Sequence, residues 1–317
     1  MQQAKIFAET TNMTEEEWLE SRKKGIGGSD AGTICGLNKY KSPVELWLEK
    51  RSEIESEKAG ESAYWGHMLE PVVAAEFSRQ TGLEVAEHPY ILQHPEYPFM
   101  LANVDRIIVG ENKLLECKTA SVYLKSKWEG DNIPDSYYCQ GQHYCAVTGA
   151  EGVYFAVLIG GQSFHHKYMP RDEEFIARLI EIETRFWDMV ESGERPEIDG
   201  CKTSTDILKK LFPVSEAEEI PLPVSAIELI KQFNEARDEI DIASFKKQTA
   251  ENALKDLLGK AEKGTIDHYT VSWKSSAPRR TVDAKRLEKE KPDIYASYIK
   301  TGKPIRTFSI KGGELDG

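Results

Sequence analysis

The chain has 317 residues, of which 40% are hydrophobic and 30% are charged, and its formal net charge is −12. No stretch approaches the ~20 uninterrupted apolar residues of a membrane span, so we expect no membrane partner. The length of the chain predicts one large domain, alone or with an appendage. Five cysteines at irregular spacing favour a reducing, cytoplasmic compartment over a disulfide framework. The acidic total speaks against nucleic acid as a partner, but residues 274–306 hold ten bases against four acids, which leaves local basic contacts open.

The first predicted element is a helix over residues 14–24. Thr14 is its expected N-cap, and Glu17 completes a capping box. The glycines that follow are expected to end this helix and to open the next one.

A glycine-rich run from Gly25 to Ala31 has the features of an anion site. Ser29 or Asp30 is a natural N-cap for the following helix. Glycines such as Gly28 let backbone N–H groups approach an anion, and a helix start adds the positive end of its dipole. Arg22 is spaced to close a bidentate grip on a phosphate there. The alternative is a serine-capped turn with a solvated arginine.

Two further helices are predicted at residues 43–54 and 63–81. Glu70 lies among the apolar positions of the second helix. Because a buried carboxylate is costly without a partner, either an Arg or Lys side chain or a metal ion is expected beside it. His67, one turn earlier, is more typical of a surface or core histidine than of a metal ligand.

The central stretch is a predicted hairpin that follows strands at 83–92 and 97–109. Apolar runs at 107–109 and 114–118 flank a Gly-Glu-Asn turn, which is typical of two antiparallel strands. Asp105 lies at the edge of the first of these strands.

On the second strand of the hairpin, Glu116 and Lys118 project from one face while Cys117 points away. Two carboxylates and an ammonium in this arrangement suit metal-assisted phosphodiester cleavage. An ordinary hairpin with charges on its solvated face is the alternative, since the pattern taken alone is weak.

A helix predicted over residues 135–148 places Tyr137, Gln140 and Tyr144 along one face. A neutral amide held over a metal site can bind a phosphate oxygen or the attacking water without repelling the phosphate. The alternative is a polar helix face turned to solvent.

The remaining pattern predicts a boundary near residue 200, in a segment rich in Gly, Pro, Ser and Thr. It separates a core over residues 1–200 from an extension over 201–317. The other core elements are a short helix and loop at 119–134, strands at 152–159 and 163–169, and an acidic helix at 171–191. The extension is predicted to contain a long helix or helical hairpin at 224–258, strands at 265–273 and 305–310, and a basic helical insert at 283–299.

In order and spacing these residues resemble the exonuclease family of phage lambda, the YqaJ-like viral recombinases of the PD-(D/E)XK nuclease superfamily. The motifs are Trp18-x-x-x-Arg22, Ser29, Trp65-Gly-x-x-x-Glu70, Asp105, Glu116-x-Lys118 and Tyr137-x-x-Gln140. The resemblance implies an α/β (α+β) fold with a restriction-endonuclease-like core, in which helices flank a central mixed sheet. A helical/β extension would follow this core.

The resemblance also implies roles for the matching positions. Asp105 and Glu116 would ligate Mg²⁺, or Mn²⁺ in its place, with the backbone carbonyl of Cys117 as a further ligand. Glu70 would support a second ion. Lys118 would orient the attacking water. Gln140 would position the attacking water or the scissile phosphate. Arg22 and Ser29 would hold the 5′-terminal phosphate of the DNA. Gly28 and Tyr137 would belong to the same DNA-binding and 5′-phosphate-binding group.

By the same resemblance, the protein would be a 5′→3′ exonuclease on the ends of linear double-stranded DNA, encoded by a phage or prophage. It would leave 3′ overhangs for a single-strand annealing protein and would assemble as a homo-oligomer, a trimeric ring in lambda. Alternatives are a Cas4-like nuclease with an iron–sulfur cluster, an endonuclease of the same superfamily, and a DNA-end-binding module without catalysis.

Overall fold

The computed structural model describes residues 4–55, 60–300, 302 and 305–311. The chain divides into two compact units, Met1–Leu211 and Phe212–Gly317. Within the described part of the chain, no helix is long and apolar enough to cross a bilayer.

The first unit begins with one strand, and four consecutive helices, five consecutive strands and a mixed C-terminal part follow. Its helices are α1 (Glu15–Lys23), α2 (Gly28–Ile34), α3 (Pro43–Lys50), α4 (Glu61–Thr81), α5 (Asp135–Thr148), α6 (Glu173–Ser192) and α7 (Lys202–Leu211), with a 3-10 helix at Val122–Trp128. Its strands are β1 (Lys5–Glu9), β2 (Val85–Glu87), β3 (Tyr90–Gln93), β4 (Leu101–Asn103), β5 (Arg106–Ile108), β6 (Lys113–Ala120), β7 (Gly152–Ile159) and β8 (Ser163–Pro170).

The main sheet is mixed and has the strand order β2-β5-β6-β7-β8. Strands β5 and β6 form the predicted antiparallel hairpin, and Gly110 takes the positive φ of +80° that its turn requires. Helix α5 then carries the chain over the sheet, so that β7 runs parallel to β6. Strand β6, which carries Glu116, is therefore the central strand of the sheet.

Successive side chains of β6 point to opposite faces of the sheet, and each face packs against a helix. Leu115 packs with Phe77 of α4 in one buried cluster. Leu114 packs with Tyr144 of α5 in another cluster on the opposite face. The predicted fold class, a central mixed sheet flanked by helices, is thus confirmed.

A second sheet, in the order β1-β3-β4, was not predicted. The segment 97–109, expected to be one strand, is divided between the two sheets, with β4 in the second and β5 in the main sheet. The chain changes sheet at Val104 and Asp105. Asp105 therefore lies at the junction between the two sheets.

The predicted boundary after residue 200 precedes helix α7, whereas the first unit extends to Leu211. Ile207 of α7 is 1% exposed and lies in a cluster with Val44, Trp47 and Phe186. Burial of this side chain assigns α7 to the first unit.

The second unit begins with one unbroken helix, α8 (Ala226–Leu258), rather than a helical hairpin. An antiparallel strand pair follows, β9 (Lys263–Ile266) and β10 (Tyr269–Ser272), and then α9 (Ala284–Glu290) and α10 (Pro292–Tyr298). The basic insert is helical as predicted. The strand predicted at 305–310 is wrong, because those residues form neither helix nor strand.

Candidate active site

Strand β6 and helix α5 bring three of the predicted catalytic side chains into contact. Glu116 and Lys118 project from the same face of β6, and Lys118 Nζ donates to Glu116 Oε1 at 2.6 Å. Gln140 of α5 donates through Nε2 to the same oxygen at 2.7 Å. Glu116 and Gln140 are both buried. One carboxylate oxygen thus accepts from two donors and fixes their positions.

Asp105 joins this cluster from the junction between the two sheets. Its Oδ2 accepts from the backbone N–H of Cys117 at 2.8 Å. Burial raises the pKa of Asp105 well above its ordinary range, and the negative charge of Glu116 adds to this effect while Lys118 opposes it. Because like charges in a dry site repel, a cation near both carboxylates would stabilise their ionised forms.

Lys118 stays an ammonium in this cluster. Burial alone would lower its pKa, but the charges of Glu116 and Asp105 outweigh burial, so that the pKa of Lys118 is raised. Its Nζ also lies 4.9 Å from the ring centroid of Tyr137. Tyr137 packs inward against Trp128, with ring centroids 5.6 Å apart. The structure therefore gives Tyr137 a contact that positions the lysine, and its contact with DNA stays a prediction.

The donor set fits a hard cation in one respect. Glu116 Oε2 is buried and has no hydrogen-bond partner. An unpaired buried carboxylate oxygen is costly, and it is the kind of ligand that Mg²⁺ prefers. Among the described residues, no group of three or more His, Cys, Asp or Glu side chains is arranged to hold a metal ion. Asp105, Glu116 and the Cys117 carbonyl would therefore hold Mg²⁺ together with water or phosphate oxygens, as is usual for this ion.

Glu70 of α4 is paired with an arginine that was not singled out in the sequence. Arg106 Nη1 donates to Glu70 Oε1 at 2.6 Å and to the backbone carbonyl of Asp105 at 2.5 Å. An Arg or Lys side chain, or a metal ion, was expected beside Glu70, and the structure shows an arginine there. Through Arg106, Glu70 is linked to the backbone of Asp105 and helps to position it. The role of Glu70 beside a second metal ion stays a prediction. The available signal was the position of Arg106 directly after Asp105.

The glycine-rich loop opens helix α2, but the N-cap is Gly27 rather than Ser29 or Asp30. Asp30 is the third residue of the helix, and its Oδ2 accepts from the Gly27 N–H at 3.0 Å. A carboxylate in this position satisfies a backbone donor and interacts favourably with the helix dipole. Part of the anion site predicted at this helix start is therefore taken by the chain's own carboxylate.

Arg22 lies beside Ser29, as the resemblance implies. Its Nη2 donates to Ser29 Oγ and to Asp30 Oδ1, both at 2.9 Å. The guanidinium also lies 5.0 Å from the ring centroid of Trp18. With 36% of its side chain exposed, Arg22 is held in place and still open to a ligand.

Lys50 of α3 completes this group and was missed by the sequence analysis. Its Nζ donates to Asp30 Oδ2 and to the Arg22 carbonyl, both at 2.7 Å, and only 4% of its side chain is exposed. Burial alone would raise the pKa of Asp30, but Lys50 and Arg22 lower it far below its ordinary value. A signal existed, since Lys50 lies four residues after Leu46 on the apolar face of the helix.

The loop and the acid cluster line one cavity of about 210 Å³. From the loop it is lined by Arg22, Gly28 and Ser29, and from the acid cluster by Asp105, Glu116 and Gln140, among other residues. The two groups of residues, predicted separately along the sequence, thus face the same space.

Gly28 links the loop to the acid cluster through Tyr144. A Cβ at Gly28 would overlap the ring of Tyr144. The hydroxyl of this tyrosine accepts from Gln140 Nε2 at 3.0 Å, and the same Nε2 donates to Glu116. The glycine therefore allows a close approach that sets the position of the amide.

The cysteines are not arranged for the iron–sulfur alternative. Cys35 and Cys139 are neighbours in a small cluster between α2, α5 and α6, and a hydrogen bond from Cys139 lowers the pKa of the Cys35 thiol. An iron–sulfur cluster needs four such ligands. No larger group of candidate ligands occurs in the part of the chain that the structure describes.

Comparison with known proteins identifies relatives along nearly the whole chain. The family model of the YqaJ-like viral recombinase domain matches residues 17–151. The protein YqaJ of Bacillus subtilis (strain 168) is 42% identical over 313 residues, covering 97% of this chain and 98% of YqaJ.

Two solved structures are also similar to parts of this chain. One is the alkaline exonuclease LHK-Exo from Laribacter hongkongensis, with 18% identity, a TM-score of 0.47, and coverage of 63% of this chain and 100% of that chain. The other is a phage-related exonuclease from Haemophilus somnus 129PT, with 12% identity, a TM-score of 0.41, and coverage of 53% and 96%.

Proposed function

Since the chain belongs to the YqaJ-like viral recombinase family, we propose that it is a Mg²⁺-dependent exonuclease that digests the 5′-ended strand of linear double-stranded DNA. The strand that remains would be a 3′ overhang for recombination by annealing. The observation that carries the proposal is the shared cavity, which is lined both by Arg22 and Ser29 and by Asp105 and Glu116. A group that binds a terminal phosphate and a group that cleaves a phosphodiester would need this proximity.

The acid cluster supports hydrolysis. Mg²⁺ bound to Asp105 and Glu116 would lower the pKa of an attacking water and would neutralise the charge that develops on the phosphate. A second ion near Glu70 is part of the same proposal. Lys118, kept protonated by its neighbours, would orient the water. The amide of Gln140 would hold the water or a phosphate oxygen without adding charge.

The loop supports selection of a strand end. A cavity of about 210 Å³ is below the roughly 300–1,000 Å³ of ordinary ligand pockets, so a strand terminus suits it and a base-paired duplex does not. Asp30 places a negative charge beside the loop, but Lys50 and Arg22 both pair with it. The group therefore keeps one positive charge in excess, on a guanidinium whose planar fork matches a phosphate.

The partners belong to the same proposal. The product strand would pass to a single-strand annealing protein of the phage. A homo-oligomer that encloses duplex DNA, trimeric by resemblance, would keep the enzyme on its substrate between cleavage steps.

Labelled DNA tests the proposal directly. Linear duplex with a 5′ phosphate is incubated with Mg²⁺ or with a chelator, and strands labelled at the 5′ or the 3′ end are followed separately. We expect metal-dependent release of the 5′ label first, and no attack on covalently closed circles. Early release of the 3′ label would contradict the direction. Nicking of circles would indicate an endonuclease, and binding without cleavage would indicate a DNA-end module.

A further inference from the structure

Helix α8 of the second unit carries a row of apolar side chains with a regular period. The large members are Leu229, Phe233, Ile240, Leu254 and Leu257, and alanines occupy the intervening positions at alternating steps of three and four residues. Only Lys247 interrupts the row. An average spacing of 3.5 residues is the heptad period of a coiled coil, which keeps such a row in contact with a partner helix through supercoiling. We call this row the α8 seam.

The α8 seam is exposed in the single chain. Leu257 is 83% exposed, Leu229 65% and Ile240 63%, and no residue of α8 is buried. Phe308 packs against Phe233 with ring centroids 5.7 Å apart, yet Phe233 remains 43% exposed. A helix of 33 residues, about 50 Å long at 1.5 Å per residue, draws its stability mainly from packing of its apolar face. The exposed α8 seam lacks this packing, and a second helix would supply it.

We propose that the α8 seam pairs antiparallel with the α8 seam of a second copy of this chain. In the register centred between residues 241 and 242, Ile240 lies opposite Ala243 of the second copy, and Phe233 lies opposite Ala250. Ile240 and Phe233 are then matched with alanines, while Leu229 meets Leu254 in an outer layer. Each of these layers therefore contains at least one large side chain to fill it. Lys247 lies opposite Ala236, so that its stem crosses a small residue and its ammonium reaches water.

A parallel pair fits this sequence less well. It would place each residue of the row opposite itself, so that Phe233 meets Phe233 and Ala243 meets Ala243. The layers would alternate between crowded and empty. Lys247 would also face Lys247 at the centre of the interface, where like charges repel.

The charges that flank the seam agree with the antiparallel arrangement. Glu239 and Lys246 occupy the same flank of α8, next to the seam. In the proposed register, Glu239 of each copy lies beside Lys246 of the other, and the symmetry gives this contact twice. Flanking charges of this kind set partner choice and orientation in coiled coils.

The mass of the full chain tests the interface. We expect Ile240→Asp to halve the particle mass measured by sedimentation, whatever contacts the first unit makes. Ile242→Asp is the matched control, because Ile242 is 57% exposed against 63% for Ile240 and lies two residues away on another face of α8. It is expected to leave the mass unchanged. A wild-type mass that Ile240→Asp does not reduce would overturn the proposal, and a seam reserved for a different protein would give that result.

Charge variants test the orientation without touching the apolar row. Glu239→Lys and Lys246→Glu each bring like charges together twice. Each variant should therefore raise the dissociation constant of the pair at least tenfold. An equimolar mixture of the two variants should recover the wild-type value, because opposite charges then meet in every such contact. Glu235→Lys, the same change away from the seam, should have no effect.

The same variants separate the two orientations. In a parallel pair Glu239 would face Ser244 of the second copy, so Glu239→Lys would be silent and mixing would rescue nothing. Either of these results would overturn the antiparallel register.

Discussion

Glu116 divides its two carboxylate oxygens between different contacts. Oε1 accepts from Lys118 and Gln140, at 2.6 and 2.7 Å, while Oε2 is buried without a partner. The first oxygen therefore orients the neighbouring side chains, and the second is left for a ligand.

Glu116→Gln should separate these contacts. The amide keeps the volume of the side chain but loses the negative charge that a metal ion requires, so we expect hydrolysis of linear duplex to fall at least about 100-fold, the loss seen when one group that stabilises developing charge is removed. Binding of a DNA end and the thermal midpoint, measured alongside, should stay near wild type. Hydrolysis at the wild-type rate would refute the assignment of Glu116 to the metal.

Arg22 is expected to read the chemistry of the strand end. Arg22→Ala removes a charge-assisted hydrogen bond of about 1.5–3 kcal/mol, which corresponds to a loss of roughly tenfold or more on 5′-phosphorylated ends. Ends with a 5′ hydroxyl should be affected much less. The control is Lys23→Ala, because Lys23 is the neighbouring cation and pairs with Glu20 at 2.5 Å. Equal losses on both kinds of end would count against this role.

The ion pair between Asp30 and Lys50 predicts a pH dependence of stability. The pKa of Asp30 in the folded chain is lowered, chiefly because Lys50 and Arg22 outweigh the effect of burial. A lowered carboxyl pKa contributes stability above its ordinary value of about 3.9, and this stability is lost as the pH falls through the lower folded value. Asp30→Asn should therefore reduce the free energy of unfolding most at neutral pH.

The expected reduction at pH 7 is about 3–5 kcal/mol, since the variant leaves the buried Lys50 without a counterion. Denaturant unfolding at several pH values measures it. The difference between wild type and variant should shrink as the pH falls below about 4, where the unfolded carboxyl becomes protonated. A difference that stays constant from pH 7 to pH 3 would show that the lost contact is not electrostatic.

At the scale of elements, the parts that carry the acid cluster follow from local pattern. Alternation along β6, helical spacing along α5 and the Gly-Glu-Asn turn are each contained in fewer than twenty residues, and each was predicted. The division of residues 97–109 between two sheets was not, because β4 pairs with β3 while β5 pairs with β2 and β6. The Asp30–Lys50 pair was missed for a similar reason: the helical pattern of α3 places Lys50 on the apolar face, but the packing of α2 with α3 brings Asp30 to it.

The packing of α2 against α5 gives a matched pair of glycine variants. In Gly28→Ala the new methyl group would overlap the Tyr144 ring, whereas in Gly27→Ala it would lie 3.6 Å from Asp30 Oδ2, an ordinary contact. Overpacking of this kind costs about 1–3 kcal/mol. Because Tyr144 positions Gln140, we expect Gly28→Ala to lower both the thermal midpoint and the rate of hydrolysis.

Gly27→Ala should leave both quantities near the wild-type values. Gly27 has a φ of −91°, which alanine adopts without strain. If the two variants behave alike, the contact between Gly28 and Tyr144 does not set the position of the amide.

At the scale of the whole molecule, apolar burial and charge are distributed unevenly. The buried clusters lie between Ile26 and Ile207, within the first unit. The second unit instead has the exposed seam of α8 and the basic stretch at 274–306. The buried clusters and the candidate site therefore belong to the first unit, and the proposed pairing through α8 belongs to the second.

Two truncations test where the first unit ends. A chain of residues 1–211 keeps α7 and should retain both cooperative unfolding and metal-dependent hydrolysis, because every residue of the candidate site lies within it. A chain of residues 1–200 loses Ile207, which is 1% exposed among Val44, Trp47 and Phe186. Loss of such a buried side chain costs about 2–5 kcal/mol, which lowers the thermal midpoint of a domain of this size by at least about 4 °C. Equal midpoints for the two truncations would show that α7 adds no stability and would return the boundary to residue 200.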